Sequence, residues 1–394
     1  MKNIIITGGG FDNKGAEAMT YITVSEIKKR FPNHMIYLYI PDESNLEQEF
    51  KDNFKFNFLG WHPLKFAKAQ NNIVHRIICK IRNRNEYFET VEIYKNCDLM
   101  IDISGYAIGS NWSNKICSDY LDNLEYAKEF GIPVYLMPQS FGPFDFVGEE
   151  GKATDKRIAD LFLGIKLICA REVEGFESLR DRYKLSNVVL RPDIVLNNKA
   201  VDYSLVFKNV PEINIPDIMD NSVCIIPNSK SFEFCGNNNI LDIYTSVINQ
   251  FLCKGTSVYI LYHSTYDRDI CLKMKNIFLK EANVIFLDKN FRSLEFNEIV
   301  KKFKFIVASR FHSIVHSYKN GIPCVALGWA VKYYELLKMF GEEDYFFDVR
   351  DLIQVEELIE KIDKLYQNYE FELINIKKHL DKIQKENVFD LINI

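Results

Sequence analysis

Residues 305–329 read FIVASRFHSIVHSYKNGIPCVALGW, and this stretch contains a complete strand–helix–strand pattern. Phe305–Ala308 is a short apolar run, and a segment with apolar residues at helical spacing follows it. Gly321 ends that helix, and Cys324–Leu327 forms a second apolar run. Two apolar strands joined by a helix are typical of a parallel sheet that is covered on both faces.

The same alternation of apolar runs and helical segments extends along the whole chain. The predicted strands are Asn3–Thr7, Met35–Ile40, Phe54–Leu59, Leu99–Ile103, Pro133–Met137, Leu167–Ala170, Val188–Leu190, Val223–Ile226, Val258–Leu261, Val284–Leu287, Phe305–Ala308 and Cys324–Leu327. Strands that alternate with helices predict the α/β class, and two such series predict two doubly wound, Rossmann-like domains.

The boundary between the two series falls between Leu196 and Asn221, a stretch with two prolines and weak periodicity. We therefore predict an N-terminal Rossmann-like domain over residues 1–200 and a C-terminal one over residues 201–345. Residues 346–394 are predicted to form amphipathic helices, because apolar residues recur there at helical spacing. Periodicity leaves open whether a terminal helix crosses back to the first domain.

The composition is that of a soluble globular protein, with 394 residues, 47% apolar and 26% charged. The net charge of −5 argues against a nucleic-acid-binding protein, whose surface is usually basic. The first residues lack the apolar run of a signal peptide, and no stretch approaches the roughly 18 apolar residues of a membrane span. The nine cysteines form no C-x-x-C pair and are interpreted as reduced core thiols. These features predict a cytoplasmic protein.

One segment, residues 64–84, differs from the rest by its basic charge. It carries Lys, Arg and His side chains around an apolar stripe of Ile73, Ile77 and Ile81. A basic amphipathic helix of this kind is able to lie on an anionic membrane surface. The sequence therefore predicts either an ordinary surface helix or peripheral contact with the inner face of the membrane.

A glycine-rich segment, TGGGFDNKGAEA at residues 7–18, follows the first predicted strand and opens a helix. Glycines permit close backbone approach, and a helix N-terminus presents free N–H groups to an anion. The dinucleotide pattern G-x-G-x-x-G and the P-loop are both absent. The segment is either a tight structural turn or a ligand-facing loop, and in the second case Gly9, Gly10, Asn13 and Glu17 are candidate substrate-binding residues.

Two further loops follow predicted strands, at the sheet edge where open α/β sheets bind their ligands. The first contains Ser104 and Gly105, and the second contains Gln139 and Ser140 in a turn rich in Pro and Gly. Ser104 does not lie in a G-x-S-x-G elbow, which argues against a hydrolase nucleophile. The four residues are therefore candidates for substrate binding, with plain structural turns as the alternative.

Charged residues also occur at predicted strand ends. Arg171 is placed either to meet an anion with two parallel hydrogen bonds or to pair locally with Glu172 or Glu174. Asp193 follows the next strand and either orients a neighbour or faces a ligand. Lys332 follows a later strand, and it either provides a second cation for the ligand or is a lysine exposed to solvent. We include Arg171, Asp193 and Lys332 among the candidate site residues.

The strongest candidate pair lies in the segment from Ala308 to Ser313. Arg310 and His312 are predicted between a strand end and the first turn of a helix. Arginine supplies a fixed cation for phosphate or carboxylate, and histidine exchanges protons near neutral pH. His316 lies four residues on, a spacing that suits zinc, but the Glu of H-E-x-x-H is absent. We therefore predict no metal, a core position for His316, and catalytic roles for Arg310 and His312.

Taken in order, these motifs resemble the polysaccharide pyruvyl transferase family. The motifs are Gly8-Gly9-Gly10 with Asn13, Gly15 and Glu17; Ser104-Gly105; Pro138-Gln139-Ser140 with Gly142-Pro143; Ala170-Arg171-Glu172; Arg191-Pro192-Asp193; Ser309-Arg310 with His312; Gly321-Ile322-Pro323; and Lys332. The chain departs from the family at Tyr106-Ala107, where a glycine-rich run is common, and at Phe141-Gly142, where some members carry a histidine.

The resemblance implies two Rossmann-like domains that face a cleft, as in GT-B-type glycosyltransferases, with the acceptor on the N-terminal side and the donor anion on the C-terminal side. It implies transfer of pyruvate from phosphoenolpyruvate to two hydroxyls of a sugar as a cyclic ketal, with Arg171, Arg310 and His312 associated with activity. We expect phosphoenolpyruvate as donor substrate, no further cofactor, and a sugar or lipid-linked oligosaccharide acceptor in cell-surface polysaccharide synthesis.

Two alternatives stay open from the sequence. One is a GT-B-type glycosyltransferase that uses a nucleotide-sugar, in which the same cations would hold a diphosphate. The other is a glycan- or anion-binding partner without enzymatic activity. The sequence also leaves open the acceptor sugar, the hydroxyls that react and the oligomeric state.

Overall fold

The computed structural model describes residues 2–41, 43–60 and 84–393, with side chains in the last range from residue 89 onward. The first half of the chain alternates strands and helices as the apolar pattern predicts. Its elements are β1 (Asn3–Thr7), α1 (Lys14–Arg30), β2 (Met35–Tyr39), α2 (Gln48–Asp52), β3 (Asn57–Leu59), α3 (Arg84–Lys95), β4 (Cys97–Asp102), β5 (Tyr106–Ile108), α4 (Asn114–Glu129), β6 (Val134–Phe141), α5 (Gly148–Phe162), β7 (Leu167–Ala170), α6 (Val173–Arg182), β8 (Val188–Leu190) and α7 (Ile194–Asn197).

The second half repeats the alternation and ends in a long helix. Its elements are β9 (Ser222–Ile226), α8 (Ser229–Phe234), α9 (Ile240–Cys253), β10 (Ser257–Ile260), α10 (Arg268–Ile277), β11 (Val284–Phe286), α11 (Ser293–Val300), β12 (Ile306–Ala308), α12 (Phe311–Lys319), β13 (Cys324–Gly328), α13 (Val331–Phe340), β14 (Phe346–Asp348) and α14 (Val355–Ile383). Short 3₁₀ turns occur at Glu43–Asn45, Tyr203–Leu205, Thr265–Asp267, Glu343–Tyr345 and Val388–Leu391.

Each half builds one parallel sheet with the doubly wound strand order. The first sheet runs β3-β2-β1-β4-β6-β7-β8, with β5 beside β6, and the second runs β11-β10-β9-β12-β13-β14. In the first sheet Ile5 pairs with Tyr37 on one side and Met100 on the other, and every strand pair in both sheets is parallel. The predicted α/β class with two Rossmann-like sheets is therefore confirmed.

The strands at the centre of each sheet are apolar on both faces because helices cover both faces. Ile4 and Ile6 join a cluster that continues into the second half of the chain, whereas Ile5 joins a separate cluster on the other face of the first sheet. Apolar packing thus extends from the first sheet into the second. That packing fixes the relative position of the loops that follow their strands.

The chain end contacts the first half of the molecule. The side-chain amide of Asn197 donates to the carbonyl of Ile383 at 3.0 Å, and the hydroxyl of Tyr135 donates to the carbonyl of Asn393 at 2.8 Å. β14 joins the second sheet although it follows residue 345, where the sequence places a domain boundary. The division into residues 1–200, 201–345 and 346–394 stays a prediction.

The basic segment 64–84 lies outside the described residues, apart from the backbone of Arg84. Within the ranges that the structure describes, no helix is long and apolar enough to cross a membrane. Membrane-surface contact and a cytoplasmic location stay predictions.

Candidate active site

Four charged side chains that follow strand ends in the two sheets meet where the sheets adjoin. Arg171 and Asp193 follow β7 and β8 of the first sheet, and His312 and Lys332 follow β12 and β13 of the second. His312 contacts Asp193, and Arg171 and Lys332 lie over the same aromatic ring, that of Phe311. Residues predicted separately from both halves of the sequence therefore line one cleft, at the carboxyl ends of parallel strands.

His312 and Asp193 form a contact between the two sheets. Nε2 of His312 lies 3.6 Å from a carboxylate oxygen of Asp193, and the structure gives this nitrogen no hydrogen-bond partner among the described residues. Asp193 also caps α7, where its other oxygen accepts from the backbone N–H of Val195 at 2.9 Å. Burial alone raises the pKa of Asp193, but His312, the Arg171 charge and the Val195 amide together lower the pKa to about 2. Asp193 is thus an ionised carboxylate that faces the imidazole of His312.

Arg171 is fully engaged by neighbours of the first sheet. Its Nε and Nη2 donate to the Ser140 hydroxyl at 3.1 and 2.9 Å, its Nε donates to Glu172 at 3.0 Å, and its Nη1 donates to Asp193 at 2.9 Å. Its guanidinium carbon lies 4.1 Å from the ring centre of Phe311. The local pairing with Glu172 that the sequence left open is therefore present, and Arg171 holds Asp193 in place.

Arg310 lies at the start of α12 and is held by a buried carboxylate. Its Nε and Nη2 donate to the two oxygens of Asp267 at 2.7 and 2.6 Å. Asp267 is fully buried, whereas the Arg310 side chain is 23% exposed. This two-point contact fixes the plane of the guanidinium and leaves Nη1 for a ligand. No motif singled out Asp267 in the sequence, because it lies in a polar turn.

Lys332 lies among aromatic rings and forms no ion pair with a carboxylate within the described part of the chain. Its ammonium nitrogen lies 4.9 Å from the ring centre of Tyr106, 5.1 Å from that of Trp329, 5.7 Å from that of Phe311 and 5.8 Å from that of Tyr333. Burial, and then the positive charge of nearby arginines, lowers the pKa of Lys332 to about 7. Lys332, Tyr106 and Trp329 border a cavity of about 260 Å³ between the two sheets. Such a cation is well suited to bind an anion.

The glycines of the segment at residues 7–18 differ in how much space lies beside their Cα atoms. A Cβ added at Gly15 would lie 2.2 Å from the ring of His312, so α1 approaches the imidazole at a distance that only glycine permits. A Cβ at Gly9 would lie 2.5 Å from the Thr20 hydroxyl, which shows that Gly9 packs inside the first domain. Gly10 has open space around its Cα. The substrate-binding roles of Gly9 and Gly10 stay predictions, with open space beside the Cα of Gly10.

Asn13 and Glu17 make protein contacts in this structure. The Asn13 side chain accepts from the backbone N–H of Ala16 at 2.9 Å, as the N-cap of α1. Glu17 is buried, and its carboxylate accepts from Nε of Arg292 at 2.7 Å and from the backbone N–H of Ser293 at 3.0 Å. Glu17 thus ties α1 in the first half of the chain to α11 in the second half.

Ser104 and Gln139 both contact the buried carboxylate of Asp102. The Ser104 hydroxyl donates to Asp102 at 2.8 Å, and the side-chain amide of Gln139 donates to it at 3.0 Å. Gly105 adopts a φ of 68°, which favours glycine, and its Cα faces the rings and guanidinium of the site. Ser104 and Gln139 therefore shape the loops, and Ser140 acts through Arg171.

His263, which lies beside His312, and Lys14, which contacts His263, were not predicted from the sequence. The ring of His263 is parallel to that of His312 within 12°, with 6.4 Å between ring centres, and the buried ammonium of Lys14 donates to the His263 carbonyl at 3.0 Å. His263 follows a predicted strand, so its position was a usable signal, whereas nothing marked Lys14.

His316 is buried, as predicted. In the described ranges, no three His, Cys, Asp or Glu side chains are arranged to hold a metal ion.

Two parallel doubly wound sheets that share a charged cleft define a protein with the GT-B-type architecture. The family model for polysaccharide pyruvyl transferases matches residues 13–330. Because this match covers most of the chain, the chain belongs to the polysaccharide pyruvyl transferase family. A comparison with curated proteins gives no match.

Solved structures with the same architecture cover nearly the whole chain. UDP-GlcNAc 2-epimerase from Methanocaldococcus jannaschii is 13% identical, with 92% of each chain covered and a TM-score of 0.59. The corresponding epimerase from Neisseria meningitidis, bound to UDP-GlcNAc, is 14% identical, with 95% of this chain and 94% of that chain covered and a TM-score of 0.57. A UGT transferase from Siraitia grosvenorii in complex with UDP is 12% identical, with 98% and 96% covered and a TM-score of 0.54. These likenesses show the fold.

Proposed function

We propose that this protein transfers pyruvate from phosphoenolpyruvate to two hydroxyls of a sugar, forming a cyclic ketal and releasing phosphate. The observation that carries the proposal is the pairing of His312 with Asp193 in a cleft where Lys332 has no carboxylate partner among the described residues. Family membership supports a pyruvyl transferase activity. The donor, the ketal product and the acceptor, a free or lipid-linked sugar, belong to the proposal.

The cations of the cleft suit a donor with a phosphate and a carboxylate. Lys332 provides a charge that the described protein residues leave unpaired, and Nη1 of Arg310 provides a second donor on a guanidinium fixed by Asp267. Two cations that belong to different loops are able to bind the two anionic groups of one small molecule. Arg171 supports this arrangement indirectly, because its nitrogens are already engaged by protein groups.

The imidazole of His312 suits the proton transfers. In the first step the methylene carbon of phosphoenolpyruvate gains a proton from protonated His312, and the first sugar hydroxyl adds to C2. That hydroxyl loses its proton to the neutral imidazole, and His312 is restored. Asp193 stabilises the charged form of the imidazole, a role for which its low pKa suits it. General acid–base catalysis of this kind contributes about 10²–10⁴-fold in rate.

The second step breaks the bond between C2 and the phosphate oxygen. The second hydroxyl forms the second C–O bond at C2, and its proton leaves with the phosphate as hydrogen phosphate. One proton from the two hydroxyls thus ends on the new methyl group and one on phosphate. No oxidant, reductant or metal is needed for this balance.

A nucleotide-sugar donor is the competing function, favoured by the UDP bound to the Siraitia grosvenorii transferase and the UDP-GlcNAc bound to the Neisseria meningitidis epimerase. Thermal unfolding with phosphoenolpyruvate or UDP separates the two, since only a ligand that binds the native state raises the Tm. We expect phosphoenolpyruvate to raise the Tm of the wild-type protein and to leave the Tm of Lys332→Met unchanged. A Tm raised by UDP and unchanged by phosphoenolpyruvate would favour the glycosyltransferase.

A further inference from the structure

A stacked pair of aromatic side chains lines the cleft cavity beside Lys332. The ring centres of Phe234 and Trp329 are 4.7 Å apart, and the planes differ by 13°. Trp329 covers one face of Phe234, yet Phe234 stays 42% exposed. Both rings border the cavity of about 260 Å³. A large apolar ring is therefore presented to a cavity instead of to the core.

The backbone behind Phe234 is held in place by one side chain. The amide of Asn238 donates to the carbonyls of Val349 and Asp351 at 2.8 and 2.7 Å, and its oxygen accepts from the N–H of Ile353 at 2.9 Å. Asn238 lies in the loop that connects α8 to α9, so these bonds fix the segment just after Phe234 against the loop that follows β14. An aromatic ring on a fixed backbone loses little conformational entropy when it binds a ligand.

Apart from Lys332, which is assigned to the donor, the charged side chains that line the cavity are mostly neutralised by protein neighbours. Arg350 pairs with Asp348, its Nη2 donating at 2.6 Å, and Glu172 accepts from the arginine that precedes it at 3.0 Å. The exposed side chains of Glu174 and Asn111 remain at the rim. Hydrogen-bonding groups without a surplus of positive charge suit hydroxyls better than a second anion.

The aromatic pair connects to the proposed chemistry through direct contacts. The Lys332 ammonium lies 5.1 Å from the Trp329 ring centre and 5.7 Å from that of Phe311, whose ring is 5.4 Å from that of His312. A ligand that stacks on Phe234 therefore lies on the same cleft wall as the cation proposed for the donor.

We infer that this cavity is the acceptor subsite and that it binds one uncharged sugar ring against Phe234. The face of a sugar ring carries C–H groups with partial positive charge, which are attracted to the negative face of an aromatic ring. The cavity of about 260 Å³ is slightly smaller than drug-sized pockets, as expected for a single ring. The inference rests on the proposed function for the identity of the subsite, and its binding test is independent of the donor.

The test is saturation-transfer NMR and titration with methyl glycosides of glucose, galactose and mannose and with their N-acetylamino forms. We expect at least one of these sugars to bind wild-type protein, Phe234→Tyr and the control Leu279→Ala, which removes an exposed side chain far along the sequence. We expect Phe234→Ala to bind that sugar at least fivefold more weakly, with an unchanged Tm in the absence of ligand.

Equal sugar binding by Phe234→Ala and wild type would overturn the inference, as would the failure of every sugar to bind wild type. The Tm shift with phosphoenolpyruvate is measured on the same samples. Sugar binding that depends on Phe234, without a shift from phosphoenolpyruvate, would leave the subsite standing and refute the proposed donor. A Tm shift with phosphoenolpyruvate, without sugar binding that depends on Phe234, would refute the subsite and support the proposed donor.

Discussion

Nε2 of His312, at the start of a helix in the second half of the chain, lies 3.6 Å from the carboxylate of Asp193, at the cap of a helix in the first half. This distance exceeds that of a hydrogen bond by a few tenths of an ångström. The contact between the imidazole and the carboxylate therefore exists only where the two halves of the chain meet.

Replacement of His312 or Asp193 tests whether they act as one unit. His312→Gln is expected to lower kcat by about 10²–10⁴-fold, because the proton donor is lost. Asp193→Asn is expected to lower kcat less, and the double variant should be no slower than His312→Gln alone, since coupled residues are not additive. Steady-state phosphate release measures all three. Fully multiplicative losses would show that the two residues act separately.

Gly15→Ala tests the close approach of α1 to His312. The added methyl group would lie 2.2 Å from the imidazole, so the ring or the domain contact must shift. We expect kcat/KM to fall at least tenfold. The matched control is Gly164→Ala, whose added methyl would meet one backbone oxygen at 3.5 Å, an ordinary contact. Equal activity of both variants would mean that the His312 position is not critical.

The affinity for phosphoenolpyruvate should depend on the charge of Lys332. Because the pKa of Lys332 is about 7, the ammonium is charged below that pH and loses its charge above it. The Kd for phosphoenolpyruvate should therefore rise between pH 6.5 and 8.5 in the wild type. Lys332→Arg keeps its charge over this range and should remove most of that rise, while Lys332→Met should bind weakly at every pH. An unchanged rise in Lys332→Arg would assign the titration to another group.

Glu17→Gln separates a contact between domains from a substrate contact. The variant removes the charge that pairs with Arg292 and weakens the three hydrogen bonds that Glu17 accepts from Tyr21, Arg292 and Ser293, so we expect a loss of about 1–2 kcal/mol in the free energy of unfolding. The Kd for phosphoenolpyruvate should stay within twofold of wild type. A large change in that Kd with unchanged stability would restore Glu17 as a substrate-binding residue.

Glu342 should make stability depend on pH. Burial, and then the charge of Glu372, raises the pKa of Glu342 to about 9 in the folded state, against about 4.3 in an unfolded chain. Between these values the folded state holds a proton that the unfolded state releases, so stability is full below about pH 4.3 and falls as pH rises towards 9. Glu342→Gln should thus raise the Tm at pH 8 and change it little at pH 4.5. The exposed control Glu356→Gln should change it at neither pH.

The fold was largely predictable because its signal is local. Apolar runs such as Cys324–Leu327 are buried on both faces, and their spacing by helices determines a parallel sheet. The short strands β5 and β14 were missed because their sequence context differs from an apolar run: Tyr106–Ile108 directly follows the turn residues Ser104-Gly105, and Phe346–Asp348 ends in a charged residue. The equally short strand Val188–Leu190 was predicted because all three of its residues are apolar.

The site was predictable where a residue follows a strand, and less so where its partner is distant in sequence. The positions of Arg310, His312 and Lys332 were read from strand ends. The contact between Arg310 and Asp267 requires two loops to meet, which one sequence does not reveal. The N-cap role of Asn13 was readable from its residue type and its place before a helix, but its position in a glycine-rich loop favoured a ligand role.

The most direct measurement is the fate of C2 of phosphoenolpyruvate. Phosphoenolpyruvate labelled with ¹³C at C2 is incubated with the protein and a sugar that binds the cavity, and ¹³C NMR is recorded together with phosphate release. We expect a quaternary ketal carbon bonded to two sugar oxygens, one phosphate per ketal, and neither product with His312→Gln. Label that stays in phosphoenolpyruvate, or appears only as free pyruvate, would contradict the proposed transfer.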